Sequence, residues 1–520
     1  MVSFSSEKKE ECGIIAIYSK NGEDVAPYIY RALVALQHRG QDAAGMVVLG
    51  PQQPASGSRP SARSAGGLGA SAPWQAVSGS GSGVLGFGGT EGRVQNPEQE
   101  TPNPGLEAGG GKLVARRGLG LVSDIFTKED MLLKGRLGIG HTRYPTTGRC
   151  LMEDIQPSVI DGISVTHNGH IANYDAVRSS LESEGYAFTG TVDSEPIAYL
   201  LHSQLKQGRS VEDAVRHVMG TLDGAYSDAA IINGRLAVFR DPHAIRPLVW
   251  GENDRFVSFA SESCALDVNG IPFKGSVDGG ELVILASPME RKSLMKKEPR
   301  HCMFEYVYFS RPDSVINGKE VLEVRKRLGT LLAREHPADA DVVVPVPDTS
   351  RTAAEAYARA QSIPLEEGLI KNRYIGRTFI MPRQEERSGN VRLKLNPVRS
   401  LVAGKRVVLI DDSIVRGTTL KEIISLVRGA GASEVHVRIT CPPIRAPCFY
   451  GVDMKSYREL VASDKQEDEV ARFLGVDSLG YLSLAGLREA IGQPICTGCL
   501  NGDYVTPVAR RLAAERKSAC

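Results

Sequence analysis

The chain lacks an excess of charge of either sign: 62 Lys and Arg stand against 61 Asp and Glu in 520 residues, a formal net charge of +1. So even a balance offers no general attraction to nucleic acid or to an anionic membrane surface. Long hydrophobic runs are also missing, and none approaches the length that spans a bilayer. The leader Met1 to Glu11 is polar and has no apolar core, so it does not read as a secretory signal. Nine cysteines in so long a chain do not form the pattern of a disulfide framework. The expected compartment is a reducing cytoplasm, which leaves the thiols free for chemistry and metal.

One region lacks charge altogether. No charged residue occurs between Arg63 and Glu91, and Gly, Ser and Pro supply 30 of the 61 residues from Pro51 to Gly111. Such a composition cannot bury enough apolar area to offset the entropy of ordering it. We expect a flexible insertion over 51–111 that splits the first domain without defining another, because loop closure grows costly only slowly with length.

At this size the chain is too long for one core, and two domains with extensions are expected. Residues 12–49 suggest strand, helix, strand: Gly13 to Tyr18, Tyr28 to Gln37 and Gly45 to Leu49. From Leu113 to about Leu285 short apolar runs dominate, with strands at Gly138–His141, Ile163–His167 and Leu236–Phe239 and two amphipathic helices near 173–184 and 194–206. From about Val321 helices alternate with the apolar runs Val342–Val346, Arg406–Ile410 and Val435–Ile439, the mark of a parallel α/β sheet. Residues after 455 read as mainly helical.

The most informative stretch is Val407-Val-Leu-Ile-Asp-Asp-Ser-Ile-Val-Arg-Gly-Thr-Thr419. A buried strand ends on two acids, and a short loop rich in Gly and hydroxyls leads into a helix with apolar positions at Ile423, Ile424 and Val427. Such a loop turns backbone N–H groups and a helix start toward a phosphate, while the acids can meet ribose hydroxyls or a metal. The run resembles the signature of type I phosphoribosyltransferases. Val344-Pro-Val-Pro-Asp-Thr-Ser-Arg351 is similar to the pyrophosphate-binding loop of the same group, and the cation-rich stretch 371–404 could close over a charged substrate.

Near the start, Cys12-Gly13-Ile14 alone would read as a buried structural cysteine. Four further motifs change that reading: Gln37-His-Arg-Gly-Gln-Asp-Ala-Ala-Gly45, His141-Thr-Arg-Tyr-Pro-Thr-Thr-Gly148, His167-Asn-Gly169 and Asp193-Ser-Glu195. Together they resemble the glutaminase domain of class II amidotransferases, the N-terminal-nucleophile group. In this order the two halves resemble the glutamine phosphoribosylpyrophosphate amidotransferase family, in its branch with a propeptide and an iron–sulfur cluster.

The resemblance implies an N-terminal-nucleophile αββα glutaminase domain followed by a type I phosphoribosyltransferase α/β domain. The divisions expected are a propeptide over 1–11, a glutaminase domain over 12–290, a phosphoribosyltransferase domain over 291–454 and a C-terminal extension over 455–520. Cys12 would be the nucleophile, its own α-amine the base, and Asn168 and Gly169 the oxyanion donors. Arg143 would take the α-carboxylate of glutamine and Asp193 its α-ammonium, with Gly40 against the bound amino acid. Asp411, Asp412, Ser413, Arg416, Gly417, Thr418, Thr419 and Lys371 would bind phosphoribosyl pyrophosphate. Thr349, Asp411 and Asp412 would hold Mg2+, which prefers oxygen ligands. Ammonia would cross to the second site through an apolar channel. Purine nucleotides are the expected feedback inhibitors and a tetramer the expected assembly.

Cys302, Cys448 and Cys496-Thr-Gly-Cys499 remain. A Cys-x-x-Cys alone is open among zinc, redox and iron–sulfur roles. The family resemblance implies a [4Fe–4S] cluster on these four thiolates, with zinc the alternative. Cys150, Cys264, Cys441 and Cys520 receive no role. The sequence departs from the family at His243-Ala244, where Tyr-Gly is usual, and at Pro196, where a β-branched residue is usual. Two other functions are weighed: a sugar-phosphate amidotransferase, which the phosphoribosyl loop disfavours, and a regulatory phosphoribosyl-pyrophosphate binder without chemistry, which the intact Cys12, Arg143, Asn168 and Asp193 set disfavours.

Overall fold

The computed structural model describes residues 12–51, 111–144, 151–285, 288–372 and 393–518. The leader 1–11, nearly all of the Gly/Ser/Pro-rich insertion, Cys150, Cys520 and most of the cation-rich stretch after Lys371 lie outside these residues.

The first half is a sandwich of two sheets. Strands β1 (Gly13–Ser19), β2 (Ala43–Leu49), β3 (Leu113–Leu119) and β4 (Leu137–Arg143) share one sheet with β9 (Val249–Glu252), β10 (Phe256–Ala260) and β11 (Phe273–Ser276). Its order is β11-β9-β10-β1-β4-β2-β3, so the insertion bridges two neighbouring antiparallel strands at one edge. The second sheet joins β5 (Ser158–Ile160), β6 (Ile163–Ile171), β7 (Gly224–Ile232), β8 (Arg235–Arg240), β12 (Glu281–Ile284) and β13 (Glu290–Ser293). Alternation sets the layers. Ile14, Ala16, Ile139, Ala229 and Ile231 meet between the sheets, while Ile163, Val165, Tyr226 and Ala230 face a helical layer. That layer holds Tyr174–Ser183 and Ser194–Lys206, as expected, and a third helix, Val211–Thr221, that the two-helix reading missed. Ser210 caps it by accepting from the Asp213 N–H at 3.1 Å. On the far side the helix Ala26–Ala35 covers the first sheet, where Gly138 and Gly140 leave room for Ile29.

Short pairings lead on: β14 (His301–Cys302), then the hairpin β15 (Val315–Ile316) and β16 (Lys319–Glu320). The second half centres on parallel strands. They are β17 (Val342–Pro345), β20 (Arg406–Asp411), β21 (Glu434–Ile439) and β22 (Ser478–Tyr481), in that order; β18 (Leu369–Lys371) and β19 (Leu395–Pro397) form a separate hairpin. Val407, Val408, Leu409 and Ile410 are wholly buried, as a central parallel strand covered on both faces requires. Residues after 455 are mainly helical, as expected, but the short strand β22 among them adds a fourth strand to the phosphoribosyltransferase-side sheet. A last strand, β23 (Ile495–Cys496), pairs in parallel with β14 and ties the C-terminal segment back to the junction.

Candidate active site

Two constellations form, one in each half. In the first, Cys12 sits just before β1, partly exposed, with its thiol 3.8 Å from the Tyr144 carbonyl. Arg143 ends the neighbouring strand β4, and its buried Nε has no hydrogen-bond partner among the described residues. Gly40 packs on this strand end. A Cβ there would stand 2.6 Å from the Arg143 nitrogen, so only glycine lets the two segments meet. Asn168 and Gly169 lie in β6; the Asn168 amide donates to Ser261 Oγ at 3.1 Å, and that hydroxyl also accepts from the Ile14 N–H at 3.0 Å. Asp193, at the start of the helix Ser194–Lys206, accepts from the Ile171 N–H at 2.9 Å and pairs with His170 Nδ1 at 3.3 Å. Burial alone would raise the Asp193 carboxyl, but His170, His167 and the Ile171 N–H hold it well below the ordinary range, so it stays an anion.

Ser261 and His170 were not singled out from the sequence. Ser261 had no signal there, because its two partners lie far away along the chain. His170 had a faint one, its place beside His167-Asn-Gly169.

In the second half, Asp411 ends β20. It accepts from its neighbour's N–H at 2.8 Å and from Ser350 Oγ at 3.3 Å. Asp412 accepts from Ser413 Oγ at 2.8 Å. Gly417 begins the helix Thr418–Gly429 with φ +75°, in the left-handed region where a side chain is strained. The helix starts earlier than the apolar pattern suggested, which places Thr418 and Thr419 in its first turn, where N–H groups are free to meet an anion. Arg416 pairs with Glu459, and Lys371 pairs with Asp348 at 3.0 Å.

A single cavity of about 630 Å3 gathers Thr349, Lys371, Asp411, Asp412, Ser413, Arg416, Gly417, Thr418 and Thr419. Its lining also includes Phe304, Tyr308 and Phe309 and, from the glutaminase-side motif, His38 and Gln41, which flank Gly40. Cys12, Gly40, Arg143, Asn168, Gly169 and Asp193 do not line this cavity; His38 and Gln41 are the parts of the glutaminase-side motif that reach it.

The four cysteines converge elsewhere. Cys302 and Cys496 stand opposite each other in the β14–β23 pairing. The N–H groups of Arg445 and Ala446 donate to the Cys499 carbonyl at 3.0 Å each, which brings the Cys448 loop alongside. Burial pushes the Cys496 thiol up to about 12, and Cys499 is pushed up by burial and by the nearby Cys448, Cys496, Cys441 and Cys302. Among the described residues, no group of three or more His, Cys, Asp or Glu side chains closes around a single metal ion.

The chain matches the family described as glutamine amidotransferase domain over residues 142–268 and the one described as phosphoribosyl transferase domain over 318–467. Fold and site thus define a two-site amidotransferase, one domain handling glutamine and the other a phosphoribosyl group. The amidophosphoribosyltransferase of Methanothermobacter thermautotrophicus is 43% identical over 97% of this chain and 96% of its own length. The glutamine phosphoribosylpyrophosphate amidotransferase of Bacillus subtilis, solved with ADP and GMP, superposes with a TM-score of 0.79 at 35% identity, covering 96% of this chain and 98% of that one. A structure described as the allosteric regulatory enzyme of purine biosynthesis gives 0.80 at 36% identity, covering 96% and 97%. The chain belongs to the amidophosphoribosyltransferase family and is an enzyme of purine biosynthesis.

Proposed function

We propose that the chain releases ammonia from glutamine at Cys12 and passes it internally to phosphoribosyl pyrophosphate, giving 5-phosphoribosylamine, glutamate and pyrophosphate. The observation that carries this reading is the acceptor cavity, whose lining includes Asp411 to Thr419 together with His38 and Gln41 of the glutaminase-side motif. The thiol of Cys12 attacks the carboxamide carbon, ammonia leaves, and water then cleaves the thioester to glutamate. Once the leader 1–11 is removed, the α-amine of Cys12 titrates near 7.7–8.0 and can take the thiol proton. Arg143, with a buried N–H to spare, takes the α-carboxylate; anionic Asp193 takes the α-ammonium; Asn168 and Gly169 meet the tetrahedral oxyanion.

At the acceptor, ammonia displaces pyrophosphate from the anomeric carbon. Ser413, Gly417, Thr418 and Thr419 hold the 5′-phosphate with backbone and hydroxyl donors, and Arg416 and Lys371 add positive charge at the rim. Asp411 and Asp412 orient the ribose hydroxyls. With Thr349 they would also hold Mg2+, which when bound neutralises charge on the departing pyrophosphate. The set of Cys302, Cys496 and Cys499, all buried, with the half-buried Cys448 suits a [4Fe–4S] cluster, whose role would be to fasten the C-terminal segment to the junction.

The divisions that accompany this reading are a leader 1–11, domains 12–290 and 291–454, and an extension 455–520. The expected setting is cytoplasmic; among the described residues, no helix is long and apolar enough to cross a membrane. Purine nucleotides are the proposed inhibitors and a homotetramer the proposed assembly. The test is Cys12→Ala: glutamine-dependent pyrophosphate release should vanish while ammonia-dependent release persists. Loss of both, or of neither, would remove Cys12 from the mechanism.

A further inference from the structure

Behind the nucleophile lies a buried ionic cluster that neither half-reaction uses. Arg39 Nε donates to the carbonyl of Cys12 at 3.0 Å. Its other nitrogens reach Glu262 at 2.6 Å and both carboxylate oxygens of Glu305 at 2.8 and 2.9 Å. All three side chains are buried. A guanidinium gripped this way has one orientation, because its planar fork matches the carboxylate.

Glu305 opens the π-helical turn Glu305–Phe309, a rare geometry that occurs frequently at functional sites. The turn faces two ways. Glu305 points to Arg39, while Tyr308, Phe309 and the following Ser310 line the acceptor cavity. Ser310 donates its hydroxyl to Glu305 at 2.8 Å. Arg325, itself a lining residue of that cavity, donates to the carbonyls of Tyr306, Tyr308 and Ser310 at 2.8–3.0 Å and fixes the turn from the acceptor side.

We infer that Glu305 is a positioning residue that ties the seating of the Cys12 nucleophile to the wall of the acceptor pocket, acting through Arg39. Occupancy of the pocket by phosphoribosyl pyrophosphate presses on Tyr308, Phe309 and Arg325. The π-helical turn carries that displacement to Glu305, and Arg39 passes it to the Cys12 carbonyl. This rests on the reading that Cys12 is the glutaminase nucleophile and Asp411 to Thr419 the acceptor site.

The test uses the full chain with Glu305→Asp, which keeps the buried charge but draws the carboxylate back from Arg39. Three rates are measured: ammonia-dependent pyrophosphate release, glutamine hydrolysis alone, and glutamine hydrolysis with saturating phosphoribosyl pyrophosphate. Wild-type hydrolysis should change when phosphoribosyl pyrophosphate is added. In the variant the hydrolysis kcat should fall about 10- to 100-fold, the scale of an ångström's misplacement of a reacting group. Its response to phosphoribosyl pyrophosphate should disappear, while the ammonia-dependent rate stays near wild type. Arg39→Lys, which keeps the charge and loses the fork, should show the same split. A parallel fall of all three rates would make Glu305 merely structural, and an unchanged response to phosphoribosyl pyrophosphate would remove the coupling. A wild-type protein without glutamine hydrolysis would instead overturn the proposed function itself.

Discussion

Glu262 shows what single residues do behind this site. Its carboxylate lies fully buried and meets His38 Nε2 at 2.7 Å, Arg39 at 2.6 Å, the Arg311 N–H at 2.9 Å and Ser314 Oγ at 2.7 Å. Burial pushes its carboxyl upward, but His38 and Arg39 outweigh that and hold it well below the ordinary 4.5. Its stabilising contribution is therefore complete above pH 4.5 and is lost as pH falls through the lower folded value. Glu262→Gln should cost about 3–5 kcal/mol at neutral pH, as breaking a buried ion pair does. Urea melts across pH should show the gap to wild type closing below pH 4.5; a gap independent of pH would mean that packing, not charge, sets the loss. None of this was legible in the sequence, because Arg39 meets Glu262 and Glu305 across 223 and 266 residues of chain. Cys12, Arg143, Asn168 and Asp193 stand out in the sequence because each sits in a short motif that resembles the glutaminase family's; in the fold they lie before β1, at the end of β4, within β6 and at the start of the helix Ser194–Lys206.

At the level of elements, the turn Asp241–Ile245 explains one departure from the family pattern. Ala244 adopts φ +52°, the left-handed region, where the family usually carries glycine. Its backbone is held there because Asp241 accepts from the N–H groups of His243 and Ile245, while the Ala244 carbonyl accepts from Arg240 at 2.9 Å. A Cβ in that conformation costs roughly 1–2 kcal/mol. Ala244→Gly should therefore raise stability by about 1 kcal/mol, once the greater freedom of glycine in the unfolded chain is offset. Thermal melting checks this, and a lower Tm would show that the turn is unstrained. The same scale shows where sequence reading succeeded and failed. The strand β20 was plain because four consecutive apolar residues can only be buried on both faces. Strand β22 was missed because Ser478-Leu-Gly-Tyr481 is short, has no alternation, and gains its order from pairing with β21. The helix Val211–Thr221 was missed although Ser210 and Asp213 are an ordinary helix start, since the neighbouring helices drew the pattern first.

Across the whole molecule, distant parts are held together at the junction. The β14–β23 pairing, the Cys448 loop and Cys499 bring segments nearly two hundred residues apart onto one place. If a [4Fe–4S] cluster fastens them, protein purified without oxygen should carry about four iron and four sulfide per chain. Zinc without sulfide would assign the thiolates to a different metal. Arg246 adds a second tie: it pairs with Glu305 at 3.5 Å and donates to the Tyr450 carbonyl, joining the first domain to the loop that carries Cys448. The phosphoribosyl motif at the end of β20 and the glutaminase-side residues His38 and Gln41 line one cavity, and the proposed function has ammonia pass internally between the two halves. The most direct test of that connection follows the nitrogen itself. The enzyme turns over glutamine labelled with 15N at the amide, in the presence of excess unlabelled ammonium, and the phosphoribosylamine is trapped as it forms. Transfer through the interior predicts product that keeps the label of the glutamine amide; product diluted to the isotope content of the surrounding ammonium would show that the two sites exchange nitrogen through solvent and would contradict the shared cavity as the route.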